Sequence, residues 1–251
     1  MNPEMDAIFL DLGNTLRILV KDPDHMQRAR QKLVDMVGID EAPEAFCAKV
    51  DARYKDYRKW AFETLSEAPE SEMWTRWLAP EYPAERIGPL GAELTFQYRQ
   101  SMGRRVVVDQ GKEVVAELHQ RGYTLGIISN LIGTREIPDW LVADGFAPYF
   151  KSVVLSSVFG KRKPDPAIYW EAARQASVEP ARCVYVGDNL KRDVTGTRAA
   201  GFGMVIIMIS PEELAKAEIT DENRPDLFIQ QFTDLLNYFP QCPRTSVDLA
   251  S

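Results

Sequence analysis

Cysteine and histidine are scarce in this chain of 251 residues, which has three cysteines (Cys47, Cys183 and Cys242) and two histidines (His25 and His119). The cysteines are odd in number and lack metal-ligand spacing, so they predict reduced thiols and exclude a disulfide framework or a zinc site. Positive charge is also in deficit. Lys and Arg number 30 against 37 Asp and Glu, a net charge of −7, and the basic residues are scattered. That balance argues against a partner with a phosphate backbone. No stretch approaches the about 18 apolar residues of a membrane span, and the opening MNPEMDA has neither a basic segment nor an apolar signal core. These absences predict a cytoplasmic protein with no nucleic-acid or membrane partner.

What is present is a globular composition, 45% hydrophobic and 27% charged, enough for one large core or a core with a smaller domain. Two textures follow one another. Residues 24 to 100 are amphipathic, charged and aromatic ("HMQRARQKLVDMVG", "FCAKVDARYKDYRKWAFETL"), broken at Pro43, Pro69, Pro80 and Pro83, with no strand candidate among them. From about residue 106, helices expected at 110–121, 136–144, 165–176 and 191–200 alternate with the apolar runs "YTLGIIS", "KSVVLSS", "RCVYVGD" and "GMVIIMI". Short, β-branched, nearly continuous apolar strands between helices mean a parallel sheet covered on both faces. With "AIFLD" near the start as a further strand, the pattern predicts an α/β, doubly wound domain interrupted by a helical insertion. The tail from about Pro240 reads as poorly ordered.

In such sheets ligands bind beyond the carboxyl ends of the strands. Read in order, those ends carry Asp11, Ser129-Asn130 and Asp188, with Asp193 at the opening of the next helix and Lys163 ahead of another. Singly, each has an ordinary explanation as a helix N-cap or a loop residue. Together they fall at one edge of one sheet.

At this point the chain resembles the haloacid dehalogenase superfamily. "FLDLGNTL" is similar to that family's first motif, "IISN" to its second, "KRKPDPAIY" to its third and "VYVGDNLKRDVTGTRAAGF" to its fourth, in order and over most of the chain. The resemblance implies a Rossmann-like core from residues 1–16 and 106–251, with an all-helical cap at 17–105. It also implies a magnesium-dependent phosphatase of a small phosphorylated metabolite, acting through an aspartyl-phosphate. Asp11 would be the nucleophile, Ser129 a phosphate ligand and Lys163 the charge neutraliser. Asn130, Thr15 and Gly13 would lie at the substrate. Magnesium would sit at Asp11, the Gly13 carbonyl, Asp188 and Asp193, the last acting through water or by holding Lys163.

Elementary chemistry agrees with those roles. Carboxylates gathered in one crevice drive each other toward protonation unless a cation compensates them, and magnesium favours one or two carboxylates with a substrate phosphate oxygen. A carboxylate is also a competent nucleophile at phosphorus. One departure stands out: two positions after the nucleophile, phosphatases of this family usually carry a second aspartate as general acid and base, and here the residue is Gly13. Its loss would remove roughly 10²–10⁴ of rate for a poor leaving group. A backbone of positive φ is the conformational reason for a glycine there. Asn14 can hydrogen-bond but not exchange a proton usefully, and His25 is the substitute acid to weigh against an ordinary solvated histidine near a helix start.

Trp60, Trp74, Trp77 and Tyr57 read either as a specificity pocket or as the insertion's own core, the commoner outcome. Arg17 and Arg135 could hold an anionic substrate, against the ordinary reading of salt bridges; His119 reads as surface. The alternatives to a phosphatase are a hydrolase of a carbon–halogen or carbon–phosphorus bond, the latter with Lys21 as the candidate Schiff-base lysine, and a catalytically weak binding relative.

Overall fold

The computed structural model describes residues 5–242. Its eight strands, numbered in chain order, are β1 (Ala7–Leu10), β2 (Arg17–Val20), β3 (Arg104–Val107), β4 (Thr124–Ser129), β5 (Phe150–Leu155), β6 (Cys183–Gly187), β7 (Met204–Met208) and β8 (Leu227–Ile229). Six form a parallel sheet in the order β5-β4-β1-β6-β7-β8. Successive residues of β1 point to opposite faces: Ile8 and Leu10 join one apolar cluster with Ile127 and Val186, and Ala7 and Phe9 join another with Ile128 and Tyr185. Both faces are therefore covered, which is why β1 is apolar at every position rather than alternating. Each large apolar side chain so buried contributes up to about 1.5–3 kcal/mol. Phe9 also explains the glycine in β4, because a Cβ at Gly126 would lie 2.5 Å from its ring.

The insertion differs from expectation at its base. β2 and β3 pair antiparallel there, Arg17 opposite Val107 and Leu19 opposite Arg105, tying the entering chain to the returning one. The helices Pro23–Val37, Pro43–Thr64 and Gly91–Ser101 follow the amphipathic pattern. The first is set by Asp22, whose side chain accepts the His25 N–H at 3.0 Å, and ends at Gly38 in the left-handed region (φ 68°). Their apolar faces close on a cluster of their own, in which Trp74, Tyr57, Tyr98 and Phe46 are fully buried. Trp74 and Trp77 lie in a π-helical turn, Met73–Leu78, and the Trp74 indole N–H donates to Thr95 Oγ1 at 2.9 Å. The tryptophans are thus core of the helical segment, with Trp60 and Trp77 packed at its margin.

Buried glutamates join the segment to the sheet domain. Glu67 accepts from Tyr57 Oη at 2.6 Å and from Ser156 Oγ at 2.7 Å, and Glu70 accepts from Thr134 Oγ1 at 2.7 Å. The short edge strand β8 was not legible in the sequence. The tail is packed further than expected, with Cys242 buried and its N–H donating to the Arg121 carbonyl at 2.7 Å; residues 243–251 of the tail lie outside the described residues. Among the described residues, no helix is long and apolar enough to cross a membrane.

Candidate active site

β1 lies where the strand order reverses: β4 and β5 stack on one side of it, β6, β7 and β8 on the other. The crevice outside its carboxyl end is where such a sheet binds ligands. Asp11 stands there, its N–H donating to the Val186 carbonyl at 2.8 Å so that the β6 pairing runs one residue past the strand. Asp11 Oδ1 accepts from the Leu12 N–H at 2.7 Å and from Ser129 Oγ at 3.0 Å. Its Oδ2 faces Lys163 Nζ at 2.8 Å and Arg192 Nη2 at 3.0 Å.

Lys163 is fully buried and reaches Asp193 Oδ1 at 3.3 Å as well as the Tyr185 hydroxyl, to which its ammonium donates. Its backbone is clamped by Asn130, whose Oδ1 accepts the Lys163 N–H at 2.8 Å and whose Nδ2 donates to the Lys163 carbonyl at 3.0 Å. Asn130 does reach the crevice wall, but both polar atoms of its amide are engaged in aiming the lysine.

The helix Leu190–Ala199 brings the remaining acids. Asn189 caps it by accepting the Arg192 N–H at 2.8 Å, and Asp193 in its first turn accepts from the Asp188 and Asn189 N–H groups at 3.2 and 3.1 Å. A carboxylate is favoured at this helix terminus. Asp188 accepts from Asn14 Nδ2 at 3.0 Å on its other oxygen. Burial pushes Asp188 up from its ordinary value, and nearby Asp11 adds to the rise. Burial would raise Asp193 too, but Lys163 and Arg192 overcome it and hold that acid at about 2.

Arg192 was not singled out in the sequence. Its Nη2 lies 3.0 Å from Asp11, 3.0 Å from Asp188 and 2.8 Å from Asp193, and its Nε donates to Asp193 at 2.7 Å. The signal was its position, four residues after Asp188 and in the first turn of the helix that Asn189 caps. Asp11, Asp188 and Asp193 each place an oxygen within 4.8 Å of the others. Three carboxylates against Lys163 and Arg192 leave one negative charge, and the hard oxygen set suits a divalent cation such as magnesium.

Gly13 is exposed, its φ is not in the left-handed region, and a Cβ there would meet open space. The positive φ belongs to Asn14, at 54°. Thr15, expected near the substrate, is buried with no hydrogen-bond partner for its hydroxyl among the described residues, and it does not line the crevice. A cavity of about 220 Å³ opens beside Asp11, walled by Gly13, Asn14, Ser129 and Asn130 on the sheet side and by Arg17, Arg99 and Arg105 opposite. Arg17 Nη1 pairs with Glu136 at 3.0 Å, Arg99 Nε donates to the same carboxylate, and Arg105 Nε lies 3.9 Å from it. Burial opposes ionisation of Glu136, but Arg99, Arg105 and Arg17 hold it at about 2.

The other candidates lie elsewhere. His25 lines a neighbouring cavity, its Nε2 3.0 Å from Gln100 Oε1. Lys21 donates to the Met102 carbonyl at 2.9 Å, and Arg135 is an exposed salt-bridging residue bound by Glu93 and Asp139. His119 is exposed beside Tyr149.

Known proteins resemble the chain in sequence and in fold. The chain is 34% identical over 124 residues to the glyceraldehyde 3-phosphate phosphatase of Methanopyrus kandleri, a match to 48% of this chain and 51% of that one, so it spans about half the length of that relative. It is 32% identical over 242 residues to the phosphoglycolate phosphatase of Vibrio vulnificus, covering 93% of this chain and 96% of the relative. The crystal structure of a 2-haloacid dehalogenase from Pseudomonas syringae pv. tomato shares the fold, with a TM-score of 0.64 and 21% identity over 93% of this chain and 97% of that one. Residues 5–201 match the family description of a haloacid dehalogenase-like hydrolase, and the chain belongs to that family.

Proposed function

We propose that the protein is a magnesium-dependent phosphatase of small phosphorylated metabolites that works through an aspartyl-phosphate. The observation that carries this reading is the convergence on Asp11 of Ser129 and Lys163, with Asp188 and Asp193 alongside. In this reading residues 17–105 act as a cap over a core made of 1–16 and 106–251. A carboxylate of Asp11 attacks phosphorus and the ester oxygen leaves; water then attacks the same phosphorus, releasing phosphate and restoring Asp11. Lys163 and Ser129 face the charge that develops on the transferring group, in a crevice where such contacts outweigh those in water. Asp193 orients Lys163 and braces the Asp188 loop through its two N–H contacts.

Magnesium would be held by Asp11 and Asp188 with the Gly13 carbonyl, would replace contacts that Arg192 now makes, and would neutralise charge on the phosphoryl oxygens. With only hydrogen at the Gly13 side chain, no group of that residue delivers a proton to the leaving oxygen, so substrates with good leaving groups react best. Displacement of halide makes no use of a dication site, which sets the three convergent carboxylates against dehalogenation. The test is phosphate release from a panel of phosphorylated metabolites with and without magnesium. Release that requires magnesium supports the reading. No release from any ester, or release indifferent both to EDTA and to Asp188→Asn, overturns it.

A further inference from the structure

Phosphoryl transfer leaves one wall of the crevice unused. Arg17, Arg99 and Arg105 line the cavity beside Ser129 and Gly13, and no acidic residue lines it with them. Their side chains are only 7%, 13% and 16% exposed, and Glu136 is the one carboxylate among the described residues paired with all three. Burying three like charges around one carboxylate is costly unless something further pairs them. The strain is visible in Arg105, which burial pushes down to about 10, with Arg99 and Arg17 adding to the fall.

The donors are not equally engaged. Arg17 gives one Nη to Glu136 and the other to the Arg105 carbonyl at 3.1 Å, while its plane lies over Trp140 at 4.6 Å. Arg105 Nη1 donates to the Arg99 carbonyl at 2.8 Å. Arg99 uses its Nε on Glu136, and its two Nη groups have no hydrogen-bond partner among the described residues. Arg17 Nε is buried without a partner as well. Arg99 therefore presents an open planar fork, locked at its base by Glu136, toward the space where a bound phosphate ester must extend.

We infer that the substrate carries a second oxyanion, a carboxylate or another phosphate, on the part that is not transferred, and that Arg99 binds it with Arg105 and Arg17 beside it. This rests on the phosphatase reading and adds the class of ester to it. A guanidinium fork matches a carboxylate or phosphate with two parallel hydrogen bonds. The cavity, about 220 Å³, falls below the roughly 300–1,000 Å³ of pockets for larger ligands, so the spacer between the two anions is a few carbons long. Arg99 sits on the helical segment and Asp11 on the sheet, so a doubly anionic ester would bridge the two and favour their closure.

The experiment compares three esters with magnesium present: 2-phosphoglycolate, its primary amide, and the bisphosphate of ethylene glycol. The expected result is that kcat/KM for at least one of the two doubly anionic esters exceeds that of the amide by about 10-fold or more, mainly through KM. The favoured one identifies the oxyanion. Arg99→Ala should cut that preference to below about 3-fold, with Arg99→Lys retaining part of it because the charge stays while the fork is lost. Wild-type values within about 3-fold for all three esters would overturn the inference and leave the phosphatase reading standing. So would Arg99→Ala lowering all three rates equally. No phosphate from any ester in this or the wider panel would overturn both readings. If the variant fails to fold, the wild-type preference decides the matter alone.

Discussion

Two charged regions face one crevice and are built in opposite senses. At the sheet edge, Asp11, Asp188 and Asp193 meet Lys163 and Arg192; across the crevice, Arg17 of β2, Arg105 of β3 and Arg99 of the helix Gly91–Ser101 meet Glu136. The first keeps a negative remainder and the second a positive one. The members of each are paired internally, and each remainder suits a counter-charge of the opposite sign, a cation on one side and an anion on the other. The contrast also separates roles. In the proposed reading the contrast assigns the acidic region, gathered around Asp11, to phosphoryl transfer, and the basic region, which makes no contact with Asp11, to the part of the ester that is not transferred.

The largest effect that would break this division is at the nucleophile. Asp11→Asn keeps shape but removes nucleophilicity, and turnover should fall by at least about 10³-fold with thermal stability little changed, measured by phosphate release and a melting curve. A variant keeping a tenth of wild-type activity would remove the covalent step.

Next in size is Gly13→Asp. The backbone there is not left-handed and a Cβ meets open space, so the substitution adds a carboxyl without strain. Rates on simple alkyl phosphates should rise by up to roughly 10²–10⁴, and rates on acyl or anomeric phosphates much less. If wild-type rates already showed a shallow dependence on leaving-group pKa, an acid elsewhere in the site would be at work. His25 is then a poor candidate, because it pairs with Gln100 in a different cavity.

Asp188→Asn should weaken magnesium binding by about 10–100-fold, read by calorimetry rather than by activity. Unchanged affinity would place the cation away from the acidic region and collapse the contrast.

The acidic region was legible in the sequence, whereas of the basic one only Arg17 was, for a physical reason. Asp11, Ser129, Lys163, Asp188 and Asp193 each sit at a strand end or helix start, and short buried runs such as Ala7–Leu10 and Cys183–Gly187 betray those ends through their unbroken apolarity. The basic region has no such frame. Arg17 and Glu136 are 119 positions apart, and the pairing that sets Arg17 and Arg105 diagonally on one face joins two four-residue strands, β2 and β3, the first of which leaves Ile18, Leu19 and Val20 exposed. Strands that bury so little leave no periodic trace. Arg192 leaves no signal separate from its position, because it lies inside the motif that carries Asp188 and Asp193. For Thr15, its place in the motif gives no account of which way the chain turns it, and the structure buries its side chain.

The smallest expected effect sharpens the comparison most. Arg135 precedes Glu136 and is a fourth arginine on the same side of the molecule, so it tests whether the basic region is a site or merely a positive field. Unlike Arg99 it is exposed and satisfied, paired with Glu93 and with Asp139 at 2.9 Å and stacked over Phe96 at 4.5 Å. Exposed pairs of this kind contribute only about 0–1 kcal/mol, and removing one should leave stability within that range. Arg135→Ala should therefore change KM for a doubly anionic ester by less than about 2-fold at 0.15 M salt, where the screening length is about 8 Å. A field effect would behave differently: KM would rise with Arg135→Ala nearly as much as with Arg99→Ala, and both rises would shrink as salt is added. A contact made by the buried Arg99 fork should persist when salt screens the surface, so the ratio of the two variants' KM values across a salt series distinguishes a directed guanidinium from a diffuse charge.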